Sequence, residues 1–482
     1  MKNQEQSVSN NEYENEKVPQ SALKKWTHFL GMYAGEHAAG TEFVIGPLFL
    51  TTGVSAFDLL MGLLIGNLLA VLSWRLLTAE IAVRYRFTLY HHLEKITGNQ
   101  MVKGYNLANG VLFCFLAGAM ITVSATAVGV PFNMEMPQLT DTLPNGITWV
   151  IVVLILGLLF SFIAAKGFGT VSKAANFMAP LIILAFVACG FVALIQLEVG
   201  SFSDFWNIWG EGSTPFPGQL KYTFWHVCFW SWFANAAMHI GMSDLSVFRY
   251  AEKASSGWTT AVGMYIGHYI AWIAAALLYA VYIQSPEAQA YLSNGTAPPV
   301  APGPLAYNAI GVFGIIAVIL AGWTTANPTI YRAGLAFQTL FPKRSTFWVT
   351  MFAGGVATVA GLFPAFAMKL LDFVALYGFI LAPIGAVIVF QHFFANRMNI
   401  PDYLNAPYKR TFNWSVLLAW GLSVLLFYGF SVQNDIQNKT GVLDFVIVCG
   451  IFFLKNNCFF KLIQSDVWID IVHMMPLEYH LK

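Results

Sequence analysis

Two carboxyls and an imidazole, Glu36, His37 and Glu42, fall within seven residues of the stretch GMYAGEHAAGTEFVIGPLFL, residues 31–50, which is otherwise small and apolar. Such a stretch could cross a membrane, where charged groups are costly and mark function. Three kinds of chemistry suit the set. Carboxylates recognise amino or cationic groups of a solute through charge-assisted hydrogen bonds. A buried carboxyl beside an imidazole carries protons near neutral pH. Alternatively the three form a structural network, with His239 and Asp244 further along the chain, that pins an irregular segment. On a continuous helix Glu36 and Glu42 lie about 120° apart around the axis and do not share a face. Their convergence needs a break between them, and Gly35 and Gly40 flank that point.

The elements that must position these groups follow from composition. Hydrophobic residues make up 57% of the 482 positions and charged residues 10%, a balance that fits a polytopic membrane protein and no water-facing globule. Apolar windows of about 20 residues are centred near residues 40, 67, 119, 157, 185, 232, 270, 315, 356, 382, 422 and 449. They are numbered here as helices 1 to 12. A net charge of +1 and the lack of a glycine-rich phosphate loop give no reason to expect nucleic acid or nucleotide as a partner. The five cysteines, Cys114, Cys189, Cys228, Cys449 and Cys458, show no CxxC spacing and read as small core residues.

Lys and Arg set orientation. With the N-terminus inside, Arg84, Arg86, Lys95, Lys103, Lys166, Lys173, Arg249, Lys253, Arg332, Lys343, Arg344, Arg397, Lys409 and Arg410 all fall inside, and only Lys221, Lys369 and Lys439 fall outside. Both termini are therefore expected in the cytoplasm, in a cell (inner or plasma) membrane. The loops PFNMEMPQLTDTLPNGIT and QSPEAQAYLSNGTAPPVAPG, free of Lys and Arg, lie outside. Residues 1–25 are polar, lack a signal-peptide core and are expected to be a disordered cytoplasmic leader.

Helices 1 and 6 are the ones whose apolar run is interrupted. In helix 6 His239, Gly241, Ser243 and Asp244 follow Trp232. An offset of five spans gives the two halves opposite orientation, and paired interruptions in an inverted repeat point to a transporter site at the midplane. The expected organisation is a first five-helix repeat over 26–197, an outer loop over 198–220, and an inverted second repeat over 221–395. Accessory helices 11 and 12 occupy 396–454, and an atypical tail 455–482. Helix 8 adds ILAGWTTANPTIYRAGL, in which Thr324 and Thr325 offer hard oxygens suited to an alkali cation, with Asn327 and Pro328 just beyond. In membrane helices such hydroxyls also bond back to their own backbone. Arg75 and Glu80 in helix 2 read as interior, with Arg75 either paired with an acid of helix 1 or 6 or snorkelling inward. His91 and His92, in RYRFTLYHHLEKITG after helix 2, read as solvated surface.

The order of several stretches resembles the nucleobase–cation symporters, the family of cytosine, purine, uracil, hydantoin and allantoin permeases. These are FDLLMGLLIGNLLAVLSW in helix 2, SDLSVFRYAEK leaving helix 6, GWTTANPTIYRAGLAF in helix 8, LYGFILAPIGAVIVFQHFF in helix 10 and NIPDYLNAPYKRTFNWSVLLAWGL entering helix 11. The resemblance implies an all-α, five-plus-five inverted-repeat fold with broken helices 1 and 6, shared with sodium-coupled amino-acid transporters. It implies a substrate site lined by helices 1, 3, 6 and 8, and sodium as coupling ion with no further cofactor. Sodium would be held by Thr324, Thr325 and helix 1 carbonyls from Glu36 to Ala39. A planar heterocycle would lie against Trp232 or Phe233, with Asn235 offering an amide edge. Met120 stands where the family places a helix 3 ring, and Ser124 follows one turn on. Glu36, His37 and Glu42 depart from the family's neutral break.

The expected activity is import of a small planar nitrogenous heterocycle by a monomeric sodium symporter. The alternative is a proton-coupled carrier of an amine or amino-acid-like solute using Glu36, His37 and Glu42. A polytopic enzyme or receptor is a distant third, since GEH falls short of a zinc-protease motif.

Overall fold

The computed structural model describes residues 12–14, 16–240, 242–395, 402–405 and 411–433, leaving aside the side chains of 233–240, 368, 370–380, 382 and 426–433. Among the described residues, regular structure is helical, with one isolated bridge between Lys24 and Ala251. Helices 2 (Ala56–Tyr85), 4 (Ile147–Ala165), 5 (Phe168–Gln196) and 8 (Val312–Gln338) are each long and apolar enough to cross a membrane, as are the runs Asn99–Phe132 and Ala254–Tyr282 that contain helices 3 and 7. Helix 9 (Thr346–Gly361), helix 10 (Leu370–Phe393) and helix 11 (Trp414–Gln433) complete the described spans. Helix 12 and the tail lie outside the described residues. On helices 4 and 5, Ile151, Ile155, Leu158, Phe177, Leu184 and Phe191 are exposed, as side chains facing lipid must be when no water is there to repel them.

Helix 1 is in pieces, as the glycines suggested: Thr27–Glu36, then Glu42–Ile45 and Leu48–Thr51. Helix 6 runs Phe224–Ile240 and resumes at Leu245–Phe248, after Met242 takes a left-handed φ of 64° that few side chains tolerate. The inverted repeat extends beyond the two breaks. Helix 2 contains a π-helical turn at Trp74–Thr78, and its counterpart helix 7 contains one at Val262–Tyr269. Helix 5 carries Pro180 near its middle, and its counterpart helix 10 carries Pro383. Packing obeys the same symmetry. Helix 1 lies on helix 5 as helix 6 lies on helix 10, helix 6 on helix 2 as helix 1 on helix 7, and helices 3 and 8 face each other across the axis.

Two expectations are corrected here. Described residues of the leader are bound, not free: Val18 is buried, and Glu12 receives hydrogen bonds from Tyr250 Oη (3.0 Å) and Tyr331 Oη (2.8 Å). Arg249, placed among the inner loop charges, is fully buried and donates to the carbonyls of Tyr13 (2.7 Å) and Glu12 (2.6 Å). The leader supplies the oxygens that a buried guanidinium requires.

His92 is also buried rather than solvated, edge-on to Tyr85 (5.4 Å) and Phe87 (5.6 Å), with Nδ1 3.2 Å from the Thr88 carbonyl. It lies on the short helix Leu89–Thr97 outside the spans. Burial pushes its imidazole from an ordinary 6.5 down to about 3. The unfolded chain therefore binds the proton first, so stability falls as pH drops below 6.5 and stops falling near 3, by about 1.4 kcal/mol per unit. Replacing His92 with Leu should flatten that acid-side decline in a denaturation series; an unchanged slope would refute the assignment.

Candidate functional site

Breaking helix 1 after Glu36 strands the carbonyls of its last turn. Those of Tyr33 and Ala34 still accept from the amides of His37 and Ala38. Those of Gly35 and Glu36 are met from helix 8 instead: Thr324 Oγ1 donates to Gly35 O at 2.9 Å and Thr325 Oγ1 to Glu36 O at 3.2 Å. Both hydroxyls also reach back to the Ala321 carbonyl (3.2 and 3.1 Å), so the helical back-bond and the inter-helix contact coexist. Pro328 lacks an N–H and frees the Thr324 carbonyl four residues earlier. Ala39, on the far side of the break, gives its carbonyl to the Glu42 amide (3.1 Å).

Close approach makes this geometry possible. Helix 5 presses on helix 1 at Gly31, whose amide donates to Asn176 Oδ1 at 3.0 Å. Helix 7 presses on the break at Gly267, where an added Cβ would stand 2.6 Å from the His37 carbonyl. Only a residue without a side chain fits there.

The acids do not act as one cluster. Glu36 and Asp244, one at each break, share the guanidinium of Arg332 on helix 8. Nη1 and Nη2 reach the two oxygens of Glu36 at 2.5 and 3.2 Å, and Nη2 reaches Asp244 Oδ1 at 2.6 Å. Tyr33 Oη and Trp74 Nε1 donate to the other Asp244 oxygen at 2.9 and 2.8 Å. The whole group is buried. One cation between two carboxylates leaves a negative excess, and the phenol and indole donors help to spread it.

Glu42 stands apart, buried against helix 7. Trp272 Nε1 donates to its Oε2, and His268 Nε2 lies 3.6 Å from Oε1. The His268 ring stacks on Trp272 (4.1 Å) and meets His37 edge-on (5.1 Å).

Other candidates scatter. Trp232 donates to Ser73 Oγ of helix 2 at 3.1 Å. Met120 and Ser124 are buried against helix 8 at Gly322, with Ser124 Oγ 3.3 Å from the Ile319 carbonyl. Asn327 is buried, and its Oδ1 has no hydrogen-bond partner among the described residues. Phe233, Asn235 and His239 lie outside the described side chains. Arg75 does not face an acid of helix 1 or 6: its Nη1 lies 3.6 Å from an exposed Glu80, because the π turn of helix 2 gives the interior to Trp74. Arg332 and His268 went unread in the sequence. By position Arg332 falls among the inner loop charges, with Pro328 before it and Gly334 after it, and only the structure shows helix 8 continuing past it to Gln338.

No protein-family profile matches the sequence, and no curated protein does. Solved structures do. Mhp1, a nucleobase-cation-symport-1 family transporter in a closed conformation with bromovinylhydantoin bound, superposes with a TM-score of 0.66 at 16% identity, over 93% of this chain and 94% of that one. The chain has the fold of a nucleobase–cation symporter. A sodium-coupled sialic acid symporter (TM-score 0.58, 15% identity, 89% of each chain) shares that fold. So does MhsT in complex with L-phenylalanine (0.55, 14%, 89% of this chain and 97% of that one). These neighbours are transporters rather than enzymes, and with the apolar helices they mark a multi-pass membrane protein. At such identity the likeness concerns the fold, and the chemistry rests on this chain's own residues.

Proposed function

We propose that the protein is a secondary active transporter that imports a small planar nitrogenous heterocycle with sodium, by alternating access, with both termini in the cytoplasm. One observation carries this reading: two hydroxyls of helix 8 meet two stranded carbonyls of helix 1 at 2.9 and 3.2 Å. Four uncharged hard oxygens converge there, and they suit an alkali cation better than a softer metal. A cation entering between them would take all four as ligands, with the hydroxyl protons turned away. On helix 8, two residues beyond Thr325, Asn327 offers a buried amide oxygen with no hydrogen-bond partner among the described residues. A heterocycle with an N–H edge would satisfy it, which agrees with the hydantoin held by the structural neighbour.

A cationic substrate fits less well, because Arg332 already occupies Glu36 and Asp244. The proton-coupled reading keeps one foothold, the buried Glu42 beside His268. A thermal-shift screen of the purified protein against hydantoins, nucleobases, vitamin precursors and aliphatic amines, in sodium and in potassium, tests both. Stabilisation by a planar heterocycle that grows with sodium is expected. Stabilisation by an aliphatic amine alone, or binding that follows pH and ignores sodium, would retire the sodium–heterocycle reading.

A further inference from the structure

We propose that Glu36 joins the cation site to an inner gate: its carbonyl belongs to the first, and its carboxylate, through Arg332, closes the second. The inference rests on the sodium reading above and adds how cation occupancy reaches the gate. Glu36 ends the first half of helix 1. Its carbonyl meets Thr325, while its carboxylate takes both nitrogens of Arg332, seven residues further along helix 8. Seven residues are about 10 Å of helix. The guanidinium therefore lies between the cation site and the end of the bundle where Glu12 docks on Tyr331, the neighbour of Arg332.

The second arm of Arg332 holds Asp244, which Tyr33 and Trp74 tie to helices 1 and 2. Helices 1, 2 and 6 are thus bound to one another at this level, and Arg332 links the group to helix 8. Movement of that group away from helix 8, the step that opens the inner side, must break both arms. While the Glu36 carbonyl is fixed by a cation, the carboxylate on the same residue stays aimed at Arg332 and the gate holds. Loss of the cation frees the residue that the gate depends on. Cation binding and gate closure then favour each other, as coupled equilibria must.

The test is hydrogen exchange of the full chain in lipid discs, in sodium and in potassium, read at residues 245–251 of the helix 6 exit. Sodium is expected to slow exchange there about tenfold in the unaltered protein. Glu36→Gln keeps the carbonyl and removes the carboxylate charge. It should still be stabilised by sodium in a thermal melt while the exchange difference shrinks to within about twofold. Arg332→Lys, which keeps the charge but loses the two-armed fit, should lie between. Thr324→Ala should lose the sodium effect on both readouts. Full sodium protection in Glu36→Gln and Arg332→Lys overturns the gate. If sodium affects neither readout of the unaltered protein, the sodium reading fails by itself. The gate is then judged by whether Glu36→Gln raises exchange in both salts, and no rise overturns it too.

Discussion

Arg332→Gln is expected to destabilise the protein by about 3–5 kcal/mol, the largest effect of any single change at the site. The substitution leaves Glu36 and Asp244 buried, with two carboxylates facing each other across the space where Arg332 placed its charge. Removing one partner of a buried ion pair costs more than the pair contributes, because the remaining charge has lost its water and gains nothing in return. Changing all three residues together, Glu36→Gln and Asp244→Asn with Arg332→Met, should recover most of the loss, since no charge is then stranded. Denaturant unfolding followed by intrinsic fluorescence measures both. Equal midpoints for Arg332→Gln and the unaltered chain would show that the triad does not bear on stability.

The second large effect concerns the cation. Thr324→Ala combined with Thr325→Ala removes both hydroxyls from the Gly35 and Glu36 carbonyls. Each hydrogen-bonding group lost to a charged ligand is worth about 1.5–3 kcal/mol, so with two removed sodium affinity should fall by at least about a hundredfold. Sodium titration of thermal stability measures it. Thr→Ser at both positions, which keeps the oxygens, should retain most of the affinity. A double alanine variant that binds sodium as before would remove the hydroxyls from any cation site.

Some of this architecture is decided locally and was therefore legible. Apolar windows of spanning length, the alternation of Lys and Arg between loops, and the glycines and acids interrupting helices 1 and 6 each depend on a short piece of chain. The Thr324–Thr325 pair was legible for the same reason: adjacent hydroxyls on a helix point to nearby positions whatever surrounds them. The partners of the acids were not. Arg75 and Arg332 are both arginines near the inner ends of apolar runs, and nothing local separates them. A π turn in helix 2 keeps Arg75 beside Glu80, whereas the continuous helix 8 carries Arg332 into the interior. His92 reads as solvated because it sits in an amphipathic connection that also carries His91, Glu94 and Lys95, yet it falls on the apolar side, where Tyr85 and Phe87 meet it.

The sequence by itself determined that the chain is a bundle of membrane helices with two interrupted spans in an inverted repeat, because hydrophobic length and charge bias act residue by residue against the bilayer. Tertiary packing decided that Glu36 and Asp244 answer to Arg332 while Glu42 answers to His268 and Trp272. A buried carboxylate must find its cation or donor wherever the fold brings one within about 3 Å, and that partner lies 296 residues away for Glu36 and 230 for Glu42.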